Sequence, residues 1–368
     1  MNRLIKIKTL LSCLFFLIIL YFVFLRVTYL FRNHSTAAEH INGLKNEKDI
    51  DIVCVGGSST FVYWEPFLAW HEYGMTSYNF ATNSAGAATM RGCVKEVIDI
   101  AHPALVVIDV RCFGGGEIEK LRLTENIEPG VRNITDSMDF NLNRFITVFD
   151  VMSFFNGFND SDVDTWSYFF DIAKYHTNIV NLVSAESYRH LFNNNYIAPF
   201  KGFEFITTDY HEYIEKPIDY KTNEIGELNP DIKICLEKVL DYLDSVKVQA
   251  LFVCSPIPVT KKYQIQFNTV KKVVEERGYL FLNTNEYYDE MRLDFSMDFY
   301  NAWHVNVFGA EKYTRFVSDY IKSHCSIMDH RGEPEFNSWN DLYEKAHEQE
   351  VMLKETIRQV IKSKEINS

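Results

Sequence analysis

The seven cysteines of this chain include no C-x-x-C pair, and their number is odd. Closely paired cysteines are typical of zinc and redox sites, and an even number is typical of a disulfide framework. Cys54, Cys112 and Cys254 each lie in or beside an apolar run, where a free thiol acts as a small hydrophobic side chain. The sequence therefore predicts three buried free thiols, without a disulfide framework or a zinc site.

The apolar segment 9–25 has no charged residue, and residues 1–32 contain no acid. This length is about the minimum for a helix that spans a bilayer. No small-residue cleavage site follows directly, which favours an uncleaved anchor over a removable signal peptide. Arg3, Lys6 and Lys8 precede the segment, and by the positive-inside rule they predict an inward N-terminus. We therefore expect a single-pass protein of the cell membrane with its main domain outside the cytoplasm.

Positive charge is scarce beyond the predicted anchor. Residues 1–32 hold five of the Lys and Arg residues, so the formal charge of −13 for the chain becomes −18 for the remainder. An acidic domain repels phosphate backbones. The charge therefore disfavours nucleic acid as a partner.

Five short segments are apolar nearly throughout and alternate with helical patterns. Continuous rather than alternating apolar runs are typical of parallel strands that are covered on both faces. The predicted strands are residues 50–56, 76–82, 104–110, 248–258 and 279–285. The pattern predicts an α/β fold with a doubly wound, mainly five-stranded parallel sheet, whose ligand crevice lies at the carboxyl ends of the strands.

The remaining segments divide the chain around this sheet. Residues 1–32 form the basic start and transmembrane anchor, polar residues 33–48 read as a linker, and residues 49–325 form the α/β domain. An aromatic insertion, 114–226, separates the third and fourth strands, and residues 326–368 form a C-terminal helical extension. An insertion of this length is typical of a cap or a set of binding loops. Additional scaffold packing is the alternative, and the sequence does not choose between them.

Hydroxyl side chains follow the first predicted strand in the stretch VCVGGSST, residues 53–60. GGSST lacks the lysine of a P-loop and the third glycine of a dinucleotide fingerprint. Ser58 would stand at the carboxyl edge of the sheet, and His304 lies in a loop before the last predicted helix, which leads to the same edge. A serine and a histidine brought together there would suit nucleophilic acyl transfer.

These two stretches resemble the SGNH or GDSL hydrolase superfamily, in particular its membrane-anchored branch of DltD-like and polysaccharide O-acetyl processing proteins. VCVGGSST is similar to the first family block, a strand followed by G-D-S-x-T, with Gly57 in place of the aspartate and Ser58 at the nucleophile position. NAWHVNVFGAEKYT, residues 301–314, resembles the last block, D-x-x-H, with His304 as the base and Asn301 where an aspartate is usual. The resemblance covers about residues 49–324 and implies the flavodoxin-like SGNH fold.

The middle blocks of the family match less closely. The family's second block supplies a backbone amide to the oxyanion, and the resemblance places it at Ser84 or Gly86. The third block, G-x-N-D, has no asparagine here, because the chain reads IDVRCFGGG. Arg111 is a substitute donor, since its guanidinium always carries charge. Pairing of Arg111 with Asp109 or another acid is the alternative.

The sequence allows more than one role at two positions. In serine triads the acid orients the histidine, and replacing it by asparagine lowers kcat about 10⁴-fold. Asp298 could take this role, Asn301 could orient a slower dyad, or the site could have become a binding module. Ser59 is the alternative nucleophile, although alignment of the threonine selects Ser58 and leaves Ser59 as a turn or capping hydroxyl.

The resemblance implies a serine esterase or O-acyltransferase that acts on acyl esters, with acetyl the expected group, of a cell-envelope polysaccharide or related polymer. It requires neither a metal nor an organic cofactor. A second interpretation is a catalytically weak or inactive accessory protein that partners a membrane acyltransferase. A purely structural envelope protein is the third.

Overall fold

A computed structural model of the chain describes residues 2–31, 36–83, 85–114, 124–157, 165–168, 171–183, 198–206 and 212–367. At its centre lies a five-stranded, all-parallel sheet in the order β2-β1-β3-β4-β5. Its strands are β1 (Ile52–Gly56), β2 (Ser77–Ala81), β3 (Leu105–Asp109), β4 (Gln249–Cys254) and β5 (Leu280–Asn283). The five predicted strands are all present, each shorter than predicted at one or both ends.

Helices precede, connect and follow these strands. The described α-helices are α1 (Asn2–Phe31), α2 (Thr36–Asn46), α3 (Ser58–Tyr63), α4 (Pro66–Tyr73), α5 (Ala87–Ala101), α6 (Arg111–Gly114), α7 (Thr124–Thr135), α8 (Leu142–Gly157), α9 (Asp171–Tyr175), α10 (Pro230–Val246), α11 (Lys261–Glu276), α12 (Val307–His324) and α13 (Asn337–Asn367). Short 3₁₀ turns occur at Thr165–Tyr168, His176–Val183, Pro199–Gly202, Thr284–Glu286 and Pro334–Phe336. A small antiparallel pair, β6 (Phe299–Asn301) and β7 (His304–Val305), precedes α12.

The central strands are apolar throughout because both faces of the sheet are covered. In β1 and β3 every residue is buried, and β1 pairs on one side with β2 and on the other with β3. Such strands cannot show the alternation of a half-exposed sheet. The parallel arrangement brings the carboxyl ends of all five strands to one edge.

The segment predicted as a linker is helical instead. In α2, Ala37, Ile41 and Leu44 are buried, and their spacing places them on one face of the helix. The helix packs against β2, where Tyr78 donates a hydrogen bond to the carbonyl of His40 at 3.1 Å. The linker predicted for residues 33–48 is thus replaced over Thr36–Asn46 by a packed helix, which looks polar in composition because its apolar face is narrow.

The first helix agrees with the predicted anchor in length and composition. Its segment Lys6–Phe24 is apolar enough to span a membrane, and its side chains are not buried in the protein. The end of α1 contacts the domain, since Thr28 and Phe31 are buried and Asn178 donates to the Phe31 carbonyl at 2.9 Å.

The described part of the insertion adds to the scaffold. Helix α8 packs along α5, with the Asn143 amide donating to the Gly92 carbonyl at 3.1 Å and an Arg91–Asp150 ion pair at 2.5 Å. Much of the insertion, including residues 115–123 and 184–197, lies outside the described residues.

The C-terminal extension also packs on the domain. Helix α13 covers α4, where Trp339 lies against Trp70 with a centroid separation of 5.6 Å.

Candidate active site

Ser58 lies where β1 ends and α3 begins, at the carboxyl edge of the sheet. The turn is tight: a Cβ on Gly56 would lie 2.2 Å from Thr60 Oγ1 and 2.8 Å from Asp109 Cβ, so a larger residue would not fit without a shift. Ser58 Oγ is 2.7 Å from His304 Nε2. The structure thus brings together the two residues that the sequence selects from opposite ends of the domain.

The loop bearing His304 is fixed from both sides. Asn306 caps α12 by accepting a hydrogen bond from the Phe308 amide at 2.9 Å, and its own amide group donates to the Met297 carbonyl at 2.7 Å. The Asn306 backbone amide also donates to the Asp298 carbonyl at 2.9 Å. These contacts close the β6–β7 pair and hold His304 at the end of α12 that lies nearest to Ser58.

Asn301 is the residue that contacts the far side of the imidazole. Its Oδ1 lies 3.1 Å from His304 Nδ1 and accepts a hydrogen bond from the Trp303 backbone amide at 2.8 Å. A backbone amide can only donate, so the oxygen rather than the nitrogen of the Asn301 side chain faces His304. The histidine therefore carries its proton on Nδ1 and presents an acceptor Nε2 to the serine.

Asp298 lies elsewhere. Its side chain is fully buried, and Oδ2 accepts hydrogen bonds from Lys312 Nζ at 2.6 Å and from the Asp294 amide at 2.7 Å. Burial raises the pKa of Asp298 more than the Lys312 hydrogen bond lowers it. Of the two candidates for orienting His304, the structure brings Asn301 to the ring and places Asp298 in a structural ion pair.

Ser59 points into the protein and away from His304. Its Oγ donates to Asp109 Oδ2 at 2.5 Å, and Ser255 Oγ donates to the same oxygen at 2.7 Å. The other oxygen, Oδ1, accepts the Arg111 backbone amide at 2.9 Å. Ser59 makes no side-chain cap on α3. Asp109 thus ties the ends of β1, β3 and β4 together, and Ser59 belongs to that buried network.

Arg111 lies on the wall of the cleft. Its NH1 group donates to the Trp303 carbonyl at 3.0 Å, and its guanidinium carbon lies 5.9 Å from the centre of the Trp303 ring. Tyr63 OH is 3.0 Å from the same carbonyl. The predicted pairing with Asp109 involves only the Arg111 backbone amide. Within the described part of the chain, the guanidinium forms no ion pair with a carboxylate.

The candidate oxyanion donors of the second block are only partly described. Ser84 lies outside the described residues. Gly86 immediately precedes α5, and its carbonyl accepts a hydrogen bond from Thr89 Oγ1 at 2.8 Å. Ala85, between them, lines the cleft, and its amide nitrogen lies about 4.0 Å from where a Cβ on Gly57 would stand.

The cleft around these residues is open and holds about 280 Å³. Its walls are formed by residues from the ends of three strands and from the His304 loop, namely Gly57, Ser58, Ser59, Ala85, Asp109, Arg111, Cys112, Trp303 and His304. The arrangement places one hydroxyl, one imidazole and one guanidinium around a space large enough for a small acyl group.

The imidazole is neutral near pH 7. Burial, together with the positive charge of Arg111, lowers the pKa of His304 to about 4. A neutral imidazole can accept the Ser58 proton, but a base with so low a pKa accepts it less readily than one tuned to neutral pH. An acid at position 301 would oppose this shift, and the uncharged Asn301 amide does not.

The three predicted free thiols are unpaired. Cys54 and Cys254 are buried, and Cys112 lines the cleft as a partly exposed residue whose sulfur is buried. Burial of its sulfur and the nearby Asp109 carboxylate raise the pKa of Cys112, which disfavours a competing thiolate nucleophile. In the described ranges no group of three or more His, Cys, Asp or Glu side chains is arranged to hold a metal ion.

Two residues of the site were missed as functional candidates by sequence reasoning. Asp109 has one sequence signal, its position at the end of an apolar strand, but its partner Ser255 lies 146 residues away. Trp303 is adjacent to His304, and its exposure was not visible in the sequence.

Comparisons of the chain with models of known protein families, with curated proteins and with solved structures found no match.

Proposed function

We propose that this protein is a membrane-anchored serine esterase or O-acyltransferase whose domain lies outside the cytoplasm. The single observation that carries the proposal is the 2.7 Å contact between Ser58 Oγ and His304 Nε2 at the mouth of a cleft. A hydroxyl is a weak nucleophile unless a base within hydrogen-bond reach removes its proton. The Asn301 contact supports the required tautomer.

The reaction proceeds in two balanced halves. Ser58 Oγ attacks the ester carbonyl as its proton moves to His304 Nε2, and the imidazolium then gives that proton to the departing alcohol oxygen, which leaves an acyl-serine. Water or a second hydroxyl next attacks the acyl carbon and loses its proton to His304, and Ser58 recovers that proton on release. Hydrolysis and transfer share the acyl-serine and differ only in the acceptor.

Charge on the carbonyl oxygen needs donors in place before the reaction. The backbone amide of Ser58 is one candidate, and the Arg111 guanidinium on the cleft wall is another. Amides of the second block, at Ser84 or Gly86, complete the set that the family resemblance implies. Arg111 takes the place of the missing asparagine and adds a full positive charge.

The proposed substrate class rests on the resemblance to the SGNH superfamily and on the predicted membrane topology, with the domain outside the cytoplasm. The strand order 2-1-3-4-5 is also that of flavodoxin-like folds, in which ligands bind beyond the carboxyl ends of the strands. With α1 as a single-pass anchor, the cleft would serve acyl esters, expected to be acetyl esters, of a cell-envelope polysaccharide or related polymer. A membrane acyltransferase is the partner that we propose for transfer.

One observation favours a second candidate function, an accessory protein with weak or no turnover. Asn301 stands where the family has an acid, and the pKa of His304 is lowered to about 4. Both features reduce the basicity of the imidazole. In this alternative the cleft binds acyl groups or polymer for the membrane acyltransferase, and Ser58 is not acylated.

Pre-steady-state hydrolysis of 4-nitrophenyl acetate by the full-length protein in detergent tests the proposal. We expect a burst of nitrophenol equal to the number of sites, followed by slower turnover. The burst should disappear in Ser58→Ala. It should persist in Ser59→Ala, because the Ser59 hydroxyl of the wild type donates to Asp109 and does not contact His304. A folded wild-type protein without burst or turnover would favour the accessory function.

A further inference from the structure

A large aromatic side chain is exposed beside the proposed base. Trp303 directly precedes His304, lines the cleft and is 44% exposed. By contrast, Tyr63 and Trp64, at the end of the helix that follows β1, are buried. The exposed indole lies in the cleft beside Ser58 and His304, where a bound ester would contact it.

The Trp303 backbone is held rigidly although the side chain is exposed. Its amide donates to Asn301 Oδ1 at 2.8 Å, and its carbonyl lies 3.0 Å from both Arg111 NH1 and Tyr63 OH. The Tyr263 ring meets the indole in an edge-to-face arrangement at 6.3 Å. A preorganised aromatic surface loses little conformational entropy when a ligand packs on it.

The position of Trp303 relative to His304 identifies which half of an ester would meet it. The imidazole must protonate the departing alcohol oxygen, so the alcohol half leaves along the side of the cleft that His304 occupies. Ala85 and Gly57, which lie close to each other, line the cleft at the Ser58 turn. Trp303 therefore borders the alcohol half rather than the acyl half.

The polar surroundings of the indole restrict the chemistry of that alcohol. Arg111 has five N–H donors, of which one donates to the Trp303 carbonyl at 3.0 Å, and the guanidinium also contacts the Tyr63 hydroxyl. These two contacts leave further N–H donors on a guanidinium that lines the cleft 5.9 Å from the centre of the Trp303 ring. A flat patch of ring together with unused donors suits a molecule that combines C–H faces with several oxygens, which is the chemistry of a sugar ring.

We propose that Trp303, braced by Tyr263 and flanked by Arg111, forms a subsite for the alcohol half of the ester, and that this alcohol is a sugar ring. The inference rests on the proposed function for the direction of the substrate. It assigns a residue to the recognition of the polymer, for which the family resemblance supplies only a general class. The sugar ring packs on the exposed indole face while its oxygens accept hydrogen bonds from Arg111.

Steady-state kinetics of the full-length protein with three acetate esters test this subsite. Glucose pentaacetate has a sugar ring, cyclohexyl acetate has a ring without further oxygens, and ethyl acetate has no ring. For Trp303→Ala we expect KM for glucose pentaacetate to rise about tenfold, with kcat within about twofold, because the variant loses the surface on which the ring packs while the reacting groups stay in place. Trp303→Phe should recover much of the loss, and kcat/KM for ethyl acetate should change less than about twofold.

A merely structural role gives a different pattern. If Trp303→Ala lowers kcat/KM equally for all three esters, the residue only supports the His304 loop and the subsite is refuted. An equal rise in KM for glucose pentaacetate and cyclohexyl acetate would refute the sugar assignment in favour of an apolar ring.

Binding without turnover separates this inference from the proposed reaction. Saturation-transfer NMR of glucose pentaacetate with full-length Ser58→Ala should show the strongest transfer to the ring C–H protons, and the transfer should fall in Ser58→Ala/Trp303→Ala. Strong transfer to the acetyl methyl groups alone would overturn the subsite. A wild-type protein that binds through the ring but hydrolyses none of the esters would refute the esterase and keep the subsite.

Discussion

Two histidines lie at opposite edges of the same sheet and have opposite electrostatic surroundings. His304, beyond the carboxyl ends of the strands, contacts Ser58 and Asn301, and its pKa is lowered to about 4. His330, beside the residue that precedes β1, lies 2.8 Å from Asp51 Oδ2 and 3.3 Å from Glu333 Oε2. Burial lowers the pKa of His330, but the two carboxylates outweigh it and the net shift is upward.

The same side chain therefore has two different electrostatic environments in one domain. His330 joins the C-terminal extension to the start of β1 through two carboxylates that favour its charged form, and its ring stacks on Phe336 at 4.4 Å. His304 has uncharged neighbours on both ring nitrogens and a cation nearby. Neighbouring charge, and not the histidine itself, decides which one can act as a base and which one stabilises the fold.

Removal of His304, the proposed base, should have the largest effect. For His304→Ala we expect turnover of 4-nitrophenyl acetate to fall about 10²–10⁴-fold, the usual contribution of a positioned base. His330→Gln is the matched control, because it changes a histidine at the other edge and should leave turnover per folded molecule within about twofold. Equal losses of turnover in the two variants would refute the assignment of different roles to His304 and His330.

The positive charge of Arg111 distinguishes the surroundings of His304 from those of His330, which has two carboxylates beside it. Arg111→Gln should lower kcat about 10²-fold if the guanidinium holds the oxyanion. The same change removes a cation that lowers the pKa of His304, so the acid limb of the pH–rate profile should move to higher pH. Arg111→Lys keeps the charge and should leave that limb in place. A profile that stays unmoved in Arg111→Gln would contradict the electrostatic account.

Asn301→Asp should make His304 resemble His330. A carboxylate on Nδ1 raises the pKa of the imidazole and stabilises the imidazolium, so we expect turnover at pH 7 to increase about tenfold or more. In the wild type, rate should rise with pH through about 4 and then level off, because His304 must be neutral. The variant should level off at higher pH.

Asp298→Asn is the control for that experiment. Its carboxylate binds Lys312 and not the imidazole, so the acid limb should not move, although stability should fall because Lys312 loses a buried partner. A shift of the acid limb of the pH–rate profile in Asp298→Asn would instead identify Asp298 as the residue that orients His304.

The smallest expected effect concerns the pH dependence of stability at the opposite edge. Because the pKa of His330 is raised above 6.5 in the folded protein, its stabilising contribution is complete below pH 6.5 and is lost as pH rises through the folded pKa. His330→Gln should lower the free energy of unfolding by about 1 kcal/mol at pH 6. The difference from the wild type should narrow at pH 9, as measured by denaturant unfolding of the full-length protein in detergent.

The architecture of the sheet was predictable from the sequence because its strands are apolar throughout. Parallel strands bring their carboxyl ends to one edge, so a serine after β1 and a histidine before α12 were expected to approach each other, and they do. Helix α2 was not predicted, since its apolar face is only three residues wide.

The choice between Asn301 and Asp298 could not be made from the sequence. Both lie close before His304, and the difference depends on Lys312, which binds Asp298 from the middle of α12. Likewise, Asp109 is recognisable as a part of the site only when Ser59 and Ser255, from two other strand ends, are seen to share its carboxylate. Such long-range partners leave no local pattern in the sequence.

Mass spectrometry of the full-length protein after treatment with a fluorophosphonate probe tests the central claim most directly. The Ser58–His304 contact predicts one adduct, on the peptide that contains Ser58, which is lost in Ser58→Ala and greatly slowed in His304→Ala but retained in Ser59→Ala. An adduct on Ser59 or another residue, or an unmodified Ser58 in a folded protein, would contradict the assignment of Ser58 as an activated nucleophile.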